Sequence, residues 1–505
     1  MMPHAAIAEP RSKRPVRESL FFCAALALVY LGFVAWTSLD WVKSPRFLAE
    51  EGNLFFENIR LLGIRDSIFF LHSSGYYQLP NNLIAMIGVR LPIEFWPTTT
   101  QLASVLIQAA VVVSPFWVRG APIGTAWQRA VLSVGFMLVL PNSETWLNST
   151  CIQFLFAIPL ALMMLDDRHA IAIAERCALG AYALLAALSG PPACIFAPMF
   201  WLAFAISRTR HLLTVATILT IAAVAQALLM AKFGVIASPE MGSWADWLTG
   251  ARHWPNAALV NSFVLPVLGE RAVAAVNRTL AAFPSSWIGG CTILLGCVIL
   301  AVSAACRSLP GRITALLTVA FCGYSFASLV ANGIDPRQLL ADQVIGARYT
   351  IVTSHLTLIL AHVWFVAAAG IAATSLGAAL SIAIAVSGAT YAFIGRKQDE
   401  AAPWAAEVAA WRRGERPCGL RYAGAGGTWT LLMDRNATRA YIAVALHERG
   451  HLAPEAVPGT PNFYDAVSEG IREFKRREFG RKNANDILGP RVIAALCGPI
   501  YRKPR

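Results

Sequence analysis

Apolar runs close to twenty residues long recur along this chain, and that recurrence limits the fold more than anything else in the sequence. The first spans Leu20 to Thr37. Others follow at 101–118, 152–165, 170–187, 193–207, 212–231, 286–306, 313–331, 350–369 and 373–394. A shorter one, 130–140, reads as a broken helix extending through Leu147. About twenty residues at ~1.5 Å rise cover the ~30 Å hydrocarbon core of a bilayer. Lipid offers backbone groups no hydrogen bonds, so such runs must form helices that satisfy themselves. The expected fold is an all-α polytopic membrane protein of about eleven transmembrane helices (10–12). Outer-face loop helices and a small C-terminal extramembrane tail complete it. Composition agrees: 56% of the residues are hydrophobic and 14% charged, against about 25% charged in soluble domains.

Charge placement sets the expected topology. The chain carries a net charge of +13. In a soluble protein that excess would suggest nucleic acid; between apolar runs it reads as membrane topology and anionic lipid, with no nucleic-acid partner. Arg11, Lys13, Arg14 and Arg17 precede the first run, which no small-residue cleavage site follows, so a retained first span with a cytoplasmic N-terminus is expected. Arg119, Arg129, Arg168, Arg176, Arg208, Arg210, Arg307 and Arg312 fall in loops on that same side, whereas 141–150 and 188–192 contain no Lys or Arg. The expected division is a cytoplasmic segment 1–18, a membrane domain 19–395 with a first outer loop 39–100, and a tail 396–505 on the outer side. The expected location is a bacterial inner membrane, crossed many times, with the C-terminus periplasmic.

The chemistry-bearing residues gather in the stretches assigned to the outer face. Glu50 and Glu51 stand side by side before Gly52, and His72, Tyr76 and Tyr77 follow. Adjacent carboxylates at a membrane face can take a proton from a hydroxyl or ligate a metal, and Arg or Tyr nearby can hold a phosphate. A solvated amphipathic loop helix competes with that reading on equal terms. Asn82 to Phe95 reads as an amphipathic stretch on the membrane surface. Glu144, Trp146 and Asn148 lie between two runs, where a hairpin with a Trp interface anchor is the plainer account. Arg337 and Arg348 lie between the runs 313–331 and 350–369; each can snorkel to headgroups or clamp a lipid-linked phosphate. No Cys/His cluster of zinc type is present, and cysteines such as Cys23, Cys177, Cys194 and Cys322 read as packing residues. Cys418 and Cys497 are the only cysteines of the tail and, in an oxidising compartment, are expected to pair.

Three short elements carry a family resemblance: Glu50-Glu51-Gly52, then Gly75-Tyr76-Tyr77-Gln78-Leu79-Pro80, then Glu144-Thr145-Trp146-Leu147-Asn148-Ser149-Thr150. With Arg348-Tyr349 and the stretch Trp404 to Trp429, they resemble the bacterial GT-C type polytopic glycosyltransferases over about residues 15–432. The second acidic position is Glu where that pattern more often has Asp, and residues 433–505 resemble nothing. The resemblance implies transfer of a sugar from a polyprenyl-phosphate donor to a cell-envelope glycan or lipid acceptor. It implies Glu50 or Glu51 as general base, with Arg348, Arg337 and Tyr77 toward the donor phosphate. Glu144, Asn148 and His72 would support the acceptor. It fixes no cofactor, and the acidic pair leaves room for a divalent metal ion. A transporter or lipid flippase, or an O-antigen ligase or polymerase, is the competing class. A transporter would favour ionisable residues deep within the spans.

Overall fold

The computed structural model describes residues 16–39, 43–47, 51–72, 75–118, 123–139, 147–166, 168 and 171–233 of the first half of the chain. In the second half it describes short pieces between 253 and 276, then 309–331, 349–367, 371–394, 403–415, 420–424, 427–431 and 433. In the last part it describes most of 442–452, then 463–479 and 496.

The fold is built around one helix that touches no solvent. After a 3-10 turn at Ser149–Cys151, α7 (Ile152–Met164) has all thirteen residues buried, with Pro159 inside it. A helix apolar on every side is a core helix. Before it come α1 (Val16–Thr37), the loop helices α2 (Glu57–Leu62), α3 (Ile64–Ser67) and α4 (Leu79–Gly88), then α5 (Trp96–Val113) and α6 (Ala126–Leu138). After it come α8 (Ile173–Ala187), the short α9 (Pro191–Cys194), α10 (Ala197–Ser207) and α11 (Arg210–Lys232). Next are α12 (Leu309–Ala331), α13 (Ile351–Ala367) and α14 (Ile371–Ile394). α6 opens with a capping box: the Thr125 hydroxyl accepts from Gln128 N–H, and the Gln128 side chain accepts from Thr125 N–H.

Every expected apolar run overlies a described helix except 286–306, which lies outside the described residues. Among the described residues, three helical segments are long and apolar enough to cross a membrane: Leu20–Thr37, Ile93–Phe116 and Arg210–Lys232. Shorter apolar helices accompany them. The extension of α6 through Leu147 is corrected: the helix stops at Leu138, Val139 is extended, and Leu147 sits in a turn at φ 58°. Close helix contact relies on small residues. A Cβ added at Gly377 would overlap the Ala361 carbonyl of α13, and one at Gly388 would overlap the Leu138 carbonyl of α6. Leu28, Trp36, Ile221, Leu228, Ile382 and Val386 face outward from α1, α11 and α14.

The described residues are mostly helical, as expected, and the tail adds one short hairpin. After α15 (Trp404–Arg412), strands β1 (Leu420–Gly424) and β2 (Gly427–Leu431) form an antiparallel hairpin with Tyr422 opposite Trp429. A small core of Ile442, Leu446, Val467, Ile471 and Phe474 follows, under α16 (Phe463–Phe479). The proposed Cys418–Cys497 pair lies outside the described residues.

Candidate functional site

Glu51 opens a π-helical turn, Glu51–Phe56, and is wholly buried. Its Oε1 accepts the Ser149 backbone N–H at 2.6 Å. Its Oε2 is 3.2 Å from the Thr100 hydroxyl, which is also 2.9 Å from the Pro97 carbonyl. Ser149 is the first residue of the turn that runs into α7, so the carboxylate sits where the helix leaves its N–H groups unpaired and its dipole is positive. Asn148 completes the cap: its Oδ1 accepts from Thr150 N–H at 2.9 Å and from the Thr150 hydroxyl at 2.6 Å. The 51–56 turn is thus fastened to the start of the central helix by a buried acid.

The next part of the loop turns back on itself. Gly75, at φ 80°, lets its N–H reach the His72 carbonyl at 2.7 Å, while His72 N–H reaches the Tyr76 carbonyl at 2.9 Å. The His72 ring stacks on Tyr76, with centroids 4.5 Å apart. Tyr76 Oη accepts from the side-chain amides of Gln78 and Gln153 at 3.2 and 3.3 Å. Gln153 lies in α7, one turn beyond the Glu51 contact.

A second fastening comes from α11. The Gln226 amide bonds both backbone groups of Tyr77: Oε1 accepts Tyr77 N–H at 2.8 Å and Nε2 donates to its carbonyl at 3.1 Å. The same Nε2 donates to the Ala187 carbonyl at 3.1 Å, and Leu79 N–H reaches the Leu188 carbonyl at 2.9 Å. Loop 51–79, the start of α7, the end of α8 and the far end of α11 therefore meet on one face of the bundle.

The tail docks on this same face. Trp404 Nε1 donates to the Ile93 carbonyl at 2.9 Å, and its ring meets Phe47 edge-on at 5.0 Å. Phe47, Phe55, Phe56, Trp96, Trp404, Val408, Leu420 and Leu431 share one buried cluster around the π turn. Arg412 and Glu94 form an ion pair at 2.6 Å, with the Arg412 side chain 59% exposed.

Of the residues expected to act, Glu51, His72, Tyr77 and Asn148 are brought onto this face. Glu50, Glu144, Arg337 and Arg348 lie outside the described residues. Two residues adjoining the latter group are informative. Leu147 leads directly into the Glu51 contact. The Tyr349 ring meets Phe154 of α7 at 5.8 Å, and its carbonyl accepts the Ser325 hydroxyl at 2.5 Å. Tyr77 is a brace in this arrangement: its hydroxyl donates to the Ile68 carbonyl at 2.6 Å. Burial pushes the phenol's pKa up, partly offset by the Asn82 side chain, so the hydroxyl keeps its proton at neutral pH. Asn148 spends its side-chain oxygen on the helix cap. Sequence reasoning missed Thr100, Gln153 and Gln226, each a polar side chain within or at the edge of an apolar run.

A divalent metal does not fit at Glu51. Among the described residues no group of three His, Cys, Asp or Glu side chains comes together. Both Glu51 oxygens already accept hydrogen bonds from protein donors. A hard divalent ion takes six or more oxygens, several of them anionic or from water. Comparison with protein-family models, with curated proteins and with solved structures finds no match to this chain.

Proposed function

We propose that the chain is an integral membrane glycosyltransferase of the GT-C type, transferring a sugar from a polyprenyl-phosphate donor to an envelope glycan or lipid acceptor. The observation that carries this reading is the convergence of the first outer loop, the 147–153 segment and the tail on one end of α7, with Glu51 at its centre. On this reading the chain crosses the bilayer about eleven times, α1, α11 and α14 present apolar side chains to lipid, and the convergent face is the periplasmic one.

On this reading the two acids take different roles. A general base must reach the acceptor hydroxyl. Glu51 is fully buried and accepts from two protein donors, so its role is to position the loop. The base then falls to Glu50. The leaving group is a phosphate that already bears charge, so it needs cationic or hydroxyl donors rather than an acid; Arg348 and Arg337 suit that task.

The test is sugar transfer in membranes from a labelled polyprenyl-phosphate sugar. Glu50→Gln should lose about 10²–10⁴ in rate with an unchanged melting curve. Full activity in Glu50→Gln removes the base assignment; no transfer by the unaltered chain removes the glycosyltransferase reading. A transporter remains the second reading because α13 buries His355 and His362, where the sequence offered few ionisable groups at depth.

A further inference from the structure

Helix α4 carries apolar side chains on the face it turns away from the bundle. It buries Asn81, Asn82, Ala85 and Gly88, yet Leu83 and Ile87 stand exposed on the other side, one turn apart. Leu91 extends that row through the turn in which its N–H reaches the Gly88 carbonyl at 2.9 Å. Phe95, Leu102 and Leu106, all exposed, carry it on along α5, since steps of seven and four residues return to the same face of a helix. α5 lies within Ile93–Phe116, one of the segments able to cross a membrane. Phe69 is exposed as well, and Asn82 holds it near the start of α4 by donating to the Ile68 and Phe70 carbonyls at 3.2 and 2.9 Å.

The charges beside this row do not balance. Arg90 is exposed between Ile87 and Leu91. Arg60 of α2 and Arg65 of α3, the two short helices packed against α4, are exposed too. Among the described residues no carboxylate forms an ion pair with any of the three. Glu94 is the only acid in the sequence between Leu79 and Phe116, and Arg412 already holds it at 2.6 Å.

We propose that this face binds anionic phospholipid. Acyl chains lie against Leu83, Ile87, Leu91 and Phe95, the headgroup phosphate meets Arg90, and Arg60 and Arg65 add to the attraction. The surface position expected of Asn82 to Phe95 does not say which lipid it meets; the unbalanced charge does. A guanidinium matches phosphate with its fork of donors, and a zwitterionic headgroup brings a cation of its own that the arginines repel. Arginine stems also reach from apolar surface to headgroup level. The row runs unbroken onto the apolar face of a span, which favours lipid over a protein partner, whose patch would end at a polar rim. The inner face of α4 ties that lipid to the Glu51 turn, because Gly88 packs so closely on the Phe56 ring that a Cβ has no room. Such binding requires the chain to lie in a membrane, but not that it transfer sugar.

The test is to reconstitute the full chain in bilayers of equal phosphatidylglycerol and phosphatidylcholine, extract it into mild detergent, and count the retained lipids by native mass spectrometry. The unaltered chain should retain mainly phosphatidylglycerol. Arg90→Gln should lower that enrichment about five-fold, and the triple change with Arg60→Gln and Arg65→Gln should lower it further, since each surface cation adds about five-fold to anionic-lipid binding. Ile87→Ser with Leu91→Ser should lower it too, with the arginines intact. All these residues are exposed, so the melting curves should match. Retained lipid in the proportions of the bilayer overturns the preference, and enrichment that no variant changes overturns it for this face. A dimer that the Ile87 and Leu91 changes split into monomers makes the row a contact between copies and overturns the lipid assignment. A chain that does not enter bilayers at all overturns the membrane reading, and this binding with it.

Discussion

The two ends of α7 each carry a buried carboxylate, and they are held in opposite ways. At the N-terminal end, Glu51 comes from a distant loop and accepts the helix's own first N–H together with the Thr100 hydroxyl. At the C-terminal end, Asp166 follows the helix directly and is gripped by Arg168, with Nε at 2.9 Å and Nη2 at 2.5 Å from its two oxygens. Arg168 also reaches Glu175 of α8 at 2.7 Å. Burial alone would lower the Arg168 pKa, but its two carboxylate partners outweigh that and raise it, so it stays charged throughout the accessible range. The difference follows from the helix dipole: an anion is favoured at the N-terminus and disfavoured at the C-terminus, where it needs a cation of its own. One end therefore depends on a tertiary contact for its satisfaction, and the other neutralises itself locally. Only the first can transmit the position of a loop to the centre of the bundle.

The largest effect expected from breaking this asymmetry is at Glu51. Glu51→Ala leaves the buried Ser149 N–H without its acceptor and should cost about 3 kcal/mol. Loop 51–79 should become open to proteolysis well below the melting midpoint, and sugar transfer should fall even though Glu50 is intact. A variant that melts and resists protease like the unaltered chain would show that the two ends of α7 are equivalent, and Glu51 would lose its positioning role.

A smaller effect is expected at the other end. Replacing the pair together, Asp166→Asn with Arg168→Gln, removes both charges and leaves polar groups that can still bond each other. Such exchanges of a whole ion pair are close to neutral, and about 1 kcal/mol is expected here, with transfer unchanged. Equilibrium denaturation of the double variant beside Glu51→Ala measures the contrast directly. A loss as large as that of Glu51→Ala would mean that the C-terminal staple also holds the bundle.

How much of this was legible in the sequence depends on the kind of interaction. Helix positions followed from apolar run length, because burial in lipid or core constrains every residue of a span. The acidic loop stood out, since Glu50-Glu51 interrupts an apolar chain. What Glu51 touches did not, because its partners are 49 and 98 residues away and one of them is a backbone N–H. The Gln226 clamp on Tyr77 spans 149 residues, and its signal was a lone amide inside the run 212–231. The docking of the tail rests on Trp404 meeting Phe47 and Ile93, a shape match that no local pattern encodes. The π turn at Glu51 was equally hidden, because it differs from an α-helix by one residue of hydrogen-bond register.

The smallest effect belongs to a carboxylate in the opposite limit, fully in water. Glu469 on α16 takes Arg472 at 3.0 Å and Arg476 at 2.5 Å, with its side chain 57% exposed. These hydrogen bonds hold its pKa below the ordinary value of 4.5. A depressed carboxylate contributes stability that is complete above the unfolded value and fades as pH falls through the folded one. The contribution should therefore be present at neutral pH and lost in the acid range below 4.5. Solvent and salt screen the pair, so the effect is slight. Glu469→Gln should melt marginally earlier than the unaltered chain at pH 7 in low salt, and the two should converge as the pH falls through the acid range or in ~1 M salt. A gap that persists in ~1 M salt would mean that Glu469 stabilises α16 through packing rather than charge. The contrast between a solvated acid and the buried one at the head of α7 would then have to be redrawn on shape.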